Sequence, residues 1–89
     1  MSYNSGMWQS TEAGLYQAFE FADFSEAFDF MTKVAAVAEQ AQHHPRWTNE
    51  WNRVEIWLLS HEAGNSITDK DHQLAKEIDQ LAKQGNENN

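Results

Sequence analysis

Residues Leu15–Phe21, LYQAFEF, alternate in character, with Leu15, Gln17, Phe19 and Phe21 on one side and Tyr16, Ala18 and Glu20 on the other. A period of two predicts a strand, here with a mostly apolar face and one polar interruption. The preceding Met7–Ser10 predicts a short strand. Thr11–Gly14 predicts a turn in which Gly14 can take a positive φ, so the two strands form a hairpin. After Phe21 the spacing becomes helical, with Ala27, Phe28, Met31, Val34, Ala35 and Ala38 recurring on one face. Asp23 with Glu26 three residues later fits an N-cap pair, and Glu26 and Asp29 suit the positive end of a helix. Pro45 removes a donor and disfavours helical geometry in the residue before it, so the predicted helix spans Phe24–Gln42.

The strand pattern returns in Trp47–Glu50 and, more strongly, in Arg53–Ser60, where Val54, Ile56 and Leu58 share a face. Trp57 and Leu59 are apolar on the opposite face, which leaves that face to another subunit, a ligand or a packed loop. His61–Ser66 reads as a loop. Thr68 and Asp71 form a second capping pair, and Leu74, Ala75, Ile78, Leu81 and Ala82 mark an amphipathic helix ending near Gly85. The order β-β-α-β-β-α predicts an α+β fold of two layers, a four-stranded, mainly antiparallel sheet with helices on one face. One domain is expected over residues 7–85, with 1–6 and 86–89 as flexible termini.

Composition narrows the function. The chain has 89 residues, four Trp, five Phe and no cysteine, so a real core is expected without disulfides or thiolate chemistry. The formal charge is −8, and the first 32 residues carry five acids and no base. That balance argues against a partner bound through its phosphate backbone. No apolar run is long enough to span a membrane, and the start MSYNSGMWQS lacks the pattern of a secretory signal, so a cytoplasmic location is expected.

Four histidines carry the candidate chemistry. His43 and His44 sit where the first helix ends, and His61 sits where the long strand ends, positions that are both fixed and open to a loop region. Histidine at a helix C-terminus is also ordinary capping chemistry. His72 falls in the first turn of the last helix on the solvent side. A metal set of the histidines with Asp71 is disfavoured, because adjacent residues rarely aim both side chains at one ion and no HExxH or Cys pairing is present. No metal is expected. No nucleophile elbow and no glycine-rich phosphate loop occurs either. Proton transfer remains, since imidazole titrates near neutrality and serves as acid or base. Trp8, Trp47 and Trp51 are candidate walls for a flat heterocycle, or else core or subunit-contact residues.

Glu39, His43-His44-Pro45, Trp51, His61 and Asp71, in that order and spacing, resemble the signature of the pterin-4a-carbinolamine dehydratases. The surroundings agree: Trp8, the run FEFADFSEAFDF, and Thr68-Asp69-Lys70-Asp71 before a helix. The resemblance implies loss of water from 4a-hydroxytetrahydrobiopterin to give quinonoid dihydropterin, recycling the pterin of aromatic amino acid hydroxylases, with no cofactor. It implies a homodimer, with a tetramer as the further assembly. Carried over residue by residue, it makes His43 and His61 the principal acid/base pair and has His44 contact the pterin or share the proton work. Asp71 would orient a histidine or bind the pterin edge, Glu39 would support the histidine pair, and Trp8 and Trp51 would line the pocket. The His61–Asp71 interval is about one residue longer than in familiar members, which makes Asp69 a competitor for the aspartate role. The alternatives are a non-catalytic dimerisation or protein-interaction module on the same fold, and action on another pterin such as a molybdopterin-related one.

Overall fold

The computed structural model describes residues 8–87. The expected loose segment Met1–Gly6, the start of the first strand at Met7 and residues 88–89 of the expected tail lie outside the described residues. The elements in chain order are β1 (Gln9–Thr11), β2 (Gly14–Glu20), α1 (Phe24–Ala41), β3 (Arg46–Glu50), β4 (Arg53–Leu58) and α2 (Asp69–Glu87), with a single 3₁₀ turn at His61–Ala63. The four strands form one sheet in the order β1-β2-β4-β3, antiparallel throughout. This is the expected α+β architecture.

Alternation along the strands builds the interface between sheet and helices. Leu15, Phe19, Val54, Ile56 and Leu58 are buried, and the register sets Leu15 against Leu58 and Phe19 against Val54. Leu74 and Ile78 of α2 and Val34 of α1 are the large apolar side chains that the helices fully bury, and each contributes on the order of 1.5–3 kcal/mol through loss of apolar surface to water. The polar interruption, Gln17, is 2% exposed and donates from Nε2 to Asp79 of α2 at 3.1 Å. The other sheet face, which includes Tyr16, Glu55 and Trp57, is not covered by the helices.

One helix face and several element ends differ from expectation, among them the predicted strand Arg53–Ser60, which stops at Leu58. The α1 face is rotated: Ala27, Phe30, Val34 and Ala38 are buried, while Phe28 is 53% exposed against Phe24. Phe30 wins the inward position because it packs on Phe19 and Phe21, with ring centroids 5.0 and 4.9 Å away. Pro45 is not what stops α1. The helix ends at Gln42, whose backbone is left-handed (φ 53°), and whose N–H, with that of His43, returns to the last carbonyls. At the other end of the chain, α2 continues to Glu87, past Gly85. A glycine inside a helix costs about 1 kcal/mol relative to alanine and does not by itself end one.

The β1–β2 turn is tight. Thr11 pairs with Gly14, the Thr11 hydroxyl donates to the Gly14 carbonyl at 2.7 Å, and the Ala13 amide donates back to that hydroxyl at 3.1 Å. Gly14 has φ 124°, and a Cβ there would fall 2.3 Å from the Leu58 carbonyl oxygen. Only glycine lets β2 meet the end of β4 in this way.

Candidate functional site

The left-handed turn at Gln42 converts a helix into extended chain within one residue, and extended chain sends successive side chains to opposite sides. His43 therefore turns inward, 6% exposed, while His44 stays exposed. The two adjacent imidazoles serve different places.

His43 is anchored. Its Nε2 meets Asp71 Oδ1 at 2.5 Å, and a carboxylate can only accept, so that nitrogen carries the proton. Asp71 is 0% exposed, and its other oxygen accepts from the Ser60 hydroxyl at 2.7 Å and the Thr68 amide at 2.9 Å. Burial pushes the Asp71 carboxyl up, but the hydrogen bonds from His43, the Thr68 backbone and Ser60, with the charge on His43, outweigh it and hold the carboxyl below its usual range. Asp71 reaches this position because Thr68-x-x-Asp71 is a capping pair: the carboxylate bonds the Thr68 N–H at the start of α2. Asp69 is exposed and makes no hydrogen bond in this network, whereas Asp71 bonds His43. His43 also lines a cleft of about 320 Å³ with Ala41, Asp69, Lys70, Gln73, Leu74 and Glu77.

His44 and His61 come together. Both line a cleft of about 210 Å³ with Ala13, Arg46, Trp57 and Leu59. His44 uses Nε2 on Glu39 Oε1 at 2.9 Å. Glu39 is held below the ordinary carboxylate range by that hydrogen bond, by one from Gln42 and by the charge on His44. His61 uses Nδ1 on the Asn65 amide oxygen at 2.7 Å. Asn65 can reach back because Gly64 and Asn65 both adopt left-handed backbone (φ 75° and 58°), which curls the loop, and Ser60 and Ser66 pair their backbones to close it. Each of these contacts uses one ring nitrogen of its imidazole, Nε2 in His44 and Nδ1 in His61.

Trp57 is the aromatic wall of this cleft. Its ring lies 5.2 Å from Tyr16, and the Arg46 guanidinium sits 4.5 Å over it. Arg46 and Trp57 are cross-strand partners on the uncovered sheet face. Neither was singled out from the sequence as a site residue, although the apolar Trp57–Leu59 face already pointed to something that covers it. The walls expected of Trp8 and Trp51 lie elsewhere. Trp8 packs edge-on against Phe19 at 5.9 Å and donates to both oxygens of Asp79 at 3.1 Å. Trp51 is 61% exposed in the β3–β4 turn, at the opposite end of that hairpin from His44 and His61. Four strand steps of about 3.3 Å separate the hairpin ends, so Trp51 cannot reach this cleft within one chain. Trp47 packs against the core, and His72 is exposed beside a cleft it shares with Trp8 and Asp79. Among the described residues, no group of three or more His, Cys, Asp or Glu is placed to hold a metal ion, and no helix is long and apolar enough to cross a membrane.

Comparison with known proteins bears on this arrangement. Residues 2–81 match the family described as pterin 4 alpha carbinolamine dehydratase. A protein of Synechococcus sp. (strain WH7803), provisionally named a pterin-4-alpha-carbinolamine dehydratase, is 51% identical over 74 residues, which cover 83% of this chain and 78% of that protein. One of Paraburkholderia xenovorans with the same provisional name is 46% identical over 76 residues, with the same shares covered. A crystal structure described as a transcriptional coactivator/pterin dehydratase from Brucella melitensis superposes with a TM-score of 0.81 at 36% identity, over 88% of this chain and 84% of that one. A pterin dehydratase-like protein described as a RuBisCO assembly factor of the alpha-carboxysome shares the fold, with a TM-score of 0.71 at 22% identity, over 89% of this chain and 90% of that one. With a match over residues 2–81 and relatives near half identical, the chain belongs to the pterin-4-alpha-carbinolamine dehydratase family.

Proposed function

We propose that the protein is a hydro-lyase that dehydrates 4a-hydroxytetrahydropterin, 4a-hydroxytetrahydrobiopterin in the simplest case, to quinonoid dihydropterin. The observation that carries this reading is the convergence of His44 and His61 on one cleft with a Trp57 wall. Elimination needs a proton on the departing C4a hydroxyl and removal of the proton on N5. The N5 lone pair then forms the C=N bond as water leaves, so the step needs no redox or metal cofactor. Two positioned imidazoles supply both transfers, each worth roughly 10²–10⁴-fold. His44 meets the Glu39 carboxylate through Nε2, and we assign it as the acid. His61 has a neutral amide partner that holds its proton on Nδ1, leaving Nε2 as the base. In this reading the proton work first expected of His43 passes to His44, and His43 becomes the buried anchor.

A binding partner follows from the reaction. The substrate arises on tetrahydropterin used by an aromatic amino acid hydroxylase, and the product returns to that cycle. A homodimer is part of the same proposal. β3 lies at a sheet edge with one side of its backbone unpaired, and Trp57 and Leu59 are half-buried on the uncovered face. The same features support the second reading, a protein-interaction module, and light scattering at micromolar concentration tests both: a strict monomer removes the self-association.

The enzymatic test is direct. A phenylalanine hydroxylase reaction generates the 4a-hydroxypterin, whose ultraviolet absorbance decays spontaneously. Added protein should accelerate that decay at substoichiometric concentration. Decay at the spontaneous rate would overturn the proposal.

A further inference from the structure

Ser60 is 0% exposed and stands at the junction of three elements. Its hydroxyl has one proton to give, and Asp71 Oδ2, 2.7 Å away, can only accept it. The Thr68 hydroxyl, 2.7 Å from Ser60 Oγ and 3.5 Å from Asp71 Oδ2, then donates to Ser60 over the shorter contact. The hydrogen bonds therefore run in one direction, from Thr68 to Ser60 to Asp71, with His43 donating into the far oxygen of the same carboxylate. Each bond in such a chain polarises the next.

Two of the partners of Asp71 are the residues immediately before the two cleft histidines. His43 precedes His44, and Ser60 precedes His61. One carboxylate on α2 thus grips the segment leaving α1 and the segment leaving β4. The grip on Ser60 is reinforced by its backbone, which pairs with Ser66 in both directions, at 2.9 and 3.3 Å, and closes the His61 loop. Both cleft imidazoles are exposed and lie outside the α-helices and strands, His44 between α1 and β3 and His61 at the start of the 3₁₀ turn, so those elements alone do not set their separation.

We propose that Ser60 is a positioning residue: through Asp71 it locks the backbone carrying His61 to the backbone carrying His44, and so sets the spacing of the acid and the base. The inference rests on the dehydratase reading for its kinetic consequence but not for its structural one. Ser60 touches no substrate in this scheme. Removing its hydroxyl should leave the cleft walls in place and loosen the geometry of proton transfer, which lowers kcat and spares KM.

The test is Ser60→Ala, with two independent readouts on folded protein verified by circular dichroism. Dehydration kinetics should show kcat falling on the order of 10–100-fold, the scale of a catalytic group displaced by about 1 Å, with KM within about twofold. Imidazole ¹⁵N–¹H spectra should show the His43 Nε2 proton and the His61 ring signals broadened or doubled. Ser60→Thr, which keeps the hydroxyl, should restore both. If Ser60→Ala does not fold, Thr68→Val removes the donor at the head of the chain, and both readouts should move in the same direction. Wild-type kcat together with unchanged His43 and His61 signals in the folded variant would overturn the proposal. A wild-type protein with no dehydratase activity would overturn the enzymatic reading alone, and the imidazole spectra would still decide the role of Ser60.

Discussion

His43 and Asp71 are 28 positions apart in the chain and meet at 2.5 Å inside the protein, with side chains 7% and 0% exposed. The pair ties the C-terminal end of α1 to the N-terminal end of α2. Truncating the carboxylate strands three donors at once: His43 Nε2–H, the Ser60 hydroxyl and the Thr68 amide. Asp71→Ala should therefore cost about 3 kcal/mol or more, since each buried donor left unpaired costs about 1–3 kcal/mol. Asp71→Asn should cost less, because His43 can move its proton to Nδ1 and accept from the new amide. Urea unfolding of the two variants measures the difference, and equal losses would argue against a tautomer-adaptable contact.

The same carboxylate makes stability depend on acid. The Asp71 carboxyl is held below its usual value when folded, so its contribution is fully present above the unfolded-state value, near 3.9, and is lost as pH falls through the folded-state value. Wild-type stability should decline below about pH 4, and that part of the decline should be missing in Asp71→Asn. Glu39 and Glu62 are also held low, by His44 and Lys70 respectively, but both are exposed and their share should be screened by salt. Denaturation midpoints between pH 2 and 6 at high salt isolate the buried term. A variant with an undiminished acid slope would remove Asp71 as its source.

Gly14 sits beneath the end of β4. Adding a methyl group means an unfavourable φ for an L-residue and a Cβ 2.3 Å from a backbone oxygen that cannot rotate away. Gly14→Ala should destabilise the protein by about 2 kcal/mol or more. It should also disturb the cleft, because the neighbouring Ala13 lines it. Thermal unfolding checks the first expectation. A variant with unchanged Tm would mean that β2 shifts more easily than the close approach implies.

Much of this fold is legible in the sequence because local chemistry and burial agree. Asp23–Glu26 reads as a cap, and the Glu26 amide does donate to Asp23 at 2.9 Å. Leu15, Gln17, Phe19 and Phe21 alternate as a strand face and are all buried. The candidate cleft was legible only in its histidines. Which of two adjacent imidazoles points inward depends on the left-handed turn at Gln42, a residue type with no strong preference for it, and the eye is drawn instead to Pro45. Trp57 was hard to separate from Trp8 and Trp51 because aromatic type is the same in all three. What distinguishes it is register, Arg46 opposite Trp57 at the open end of the hairpin, and register is a tertiary fact.

The aromatic assignment can be checked without turnover. Trp57→Ala should weaken pterin binding, read by fluorescence titration, through loss of a stacking surface worth about 0.5–1.5 kcal/mol beyond its area. Trp51→Ala should leave the affinity of a single chain unchanged, given its place at the far end of the β3–β4 hairpin. Equal losses in the two variants would place the ligand elsewhere or bring a second chain's Trp51 to the cleft.

The acid/base assignment makes opposite demands on the two limbs of a pH–rate profile. His44 must be protonated to act, so it governs the alkaline limb, while His61 must be neutral and governs the acid limb. Glu39→Gln replaces the carboxylate that His44 Nε2 meets, so it should alter the alkaline limb while the acid limb stays. Asn65→Ala frees the His61 ring from the acceptor that fixes its proton on Nδ1, so it should lower the maximal rate without moving the alkaline limb. His44→Ala and His61→Ala should each lower turnover by roughly 10²–10⁴-fold in folded protein. If Glu39→Gln moves the acid limb instead, the roles of His44 and His61 are exchanged.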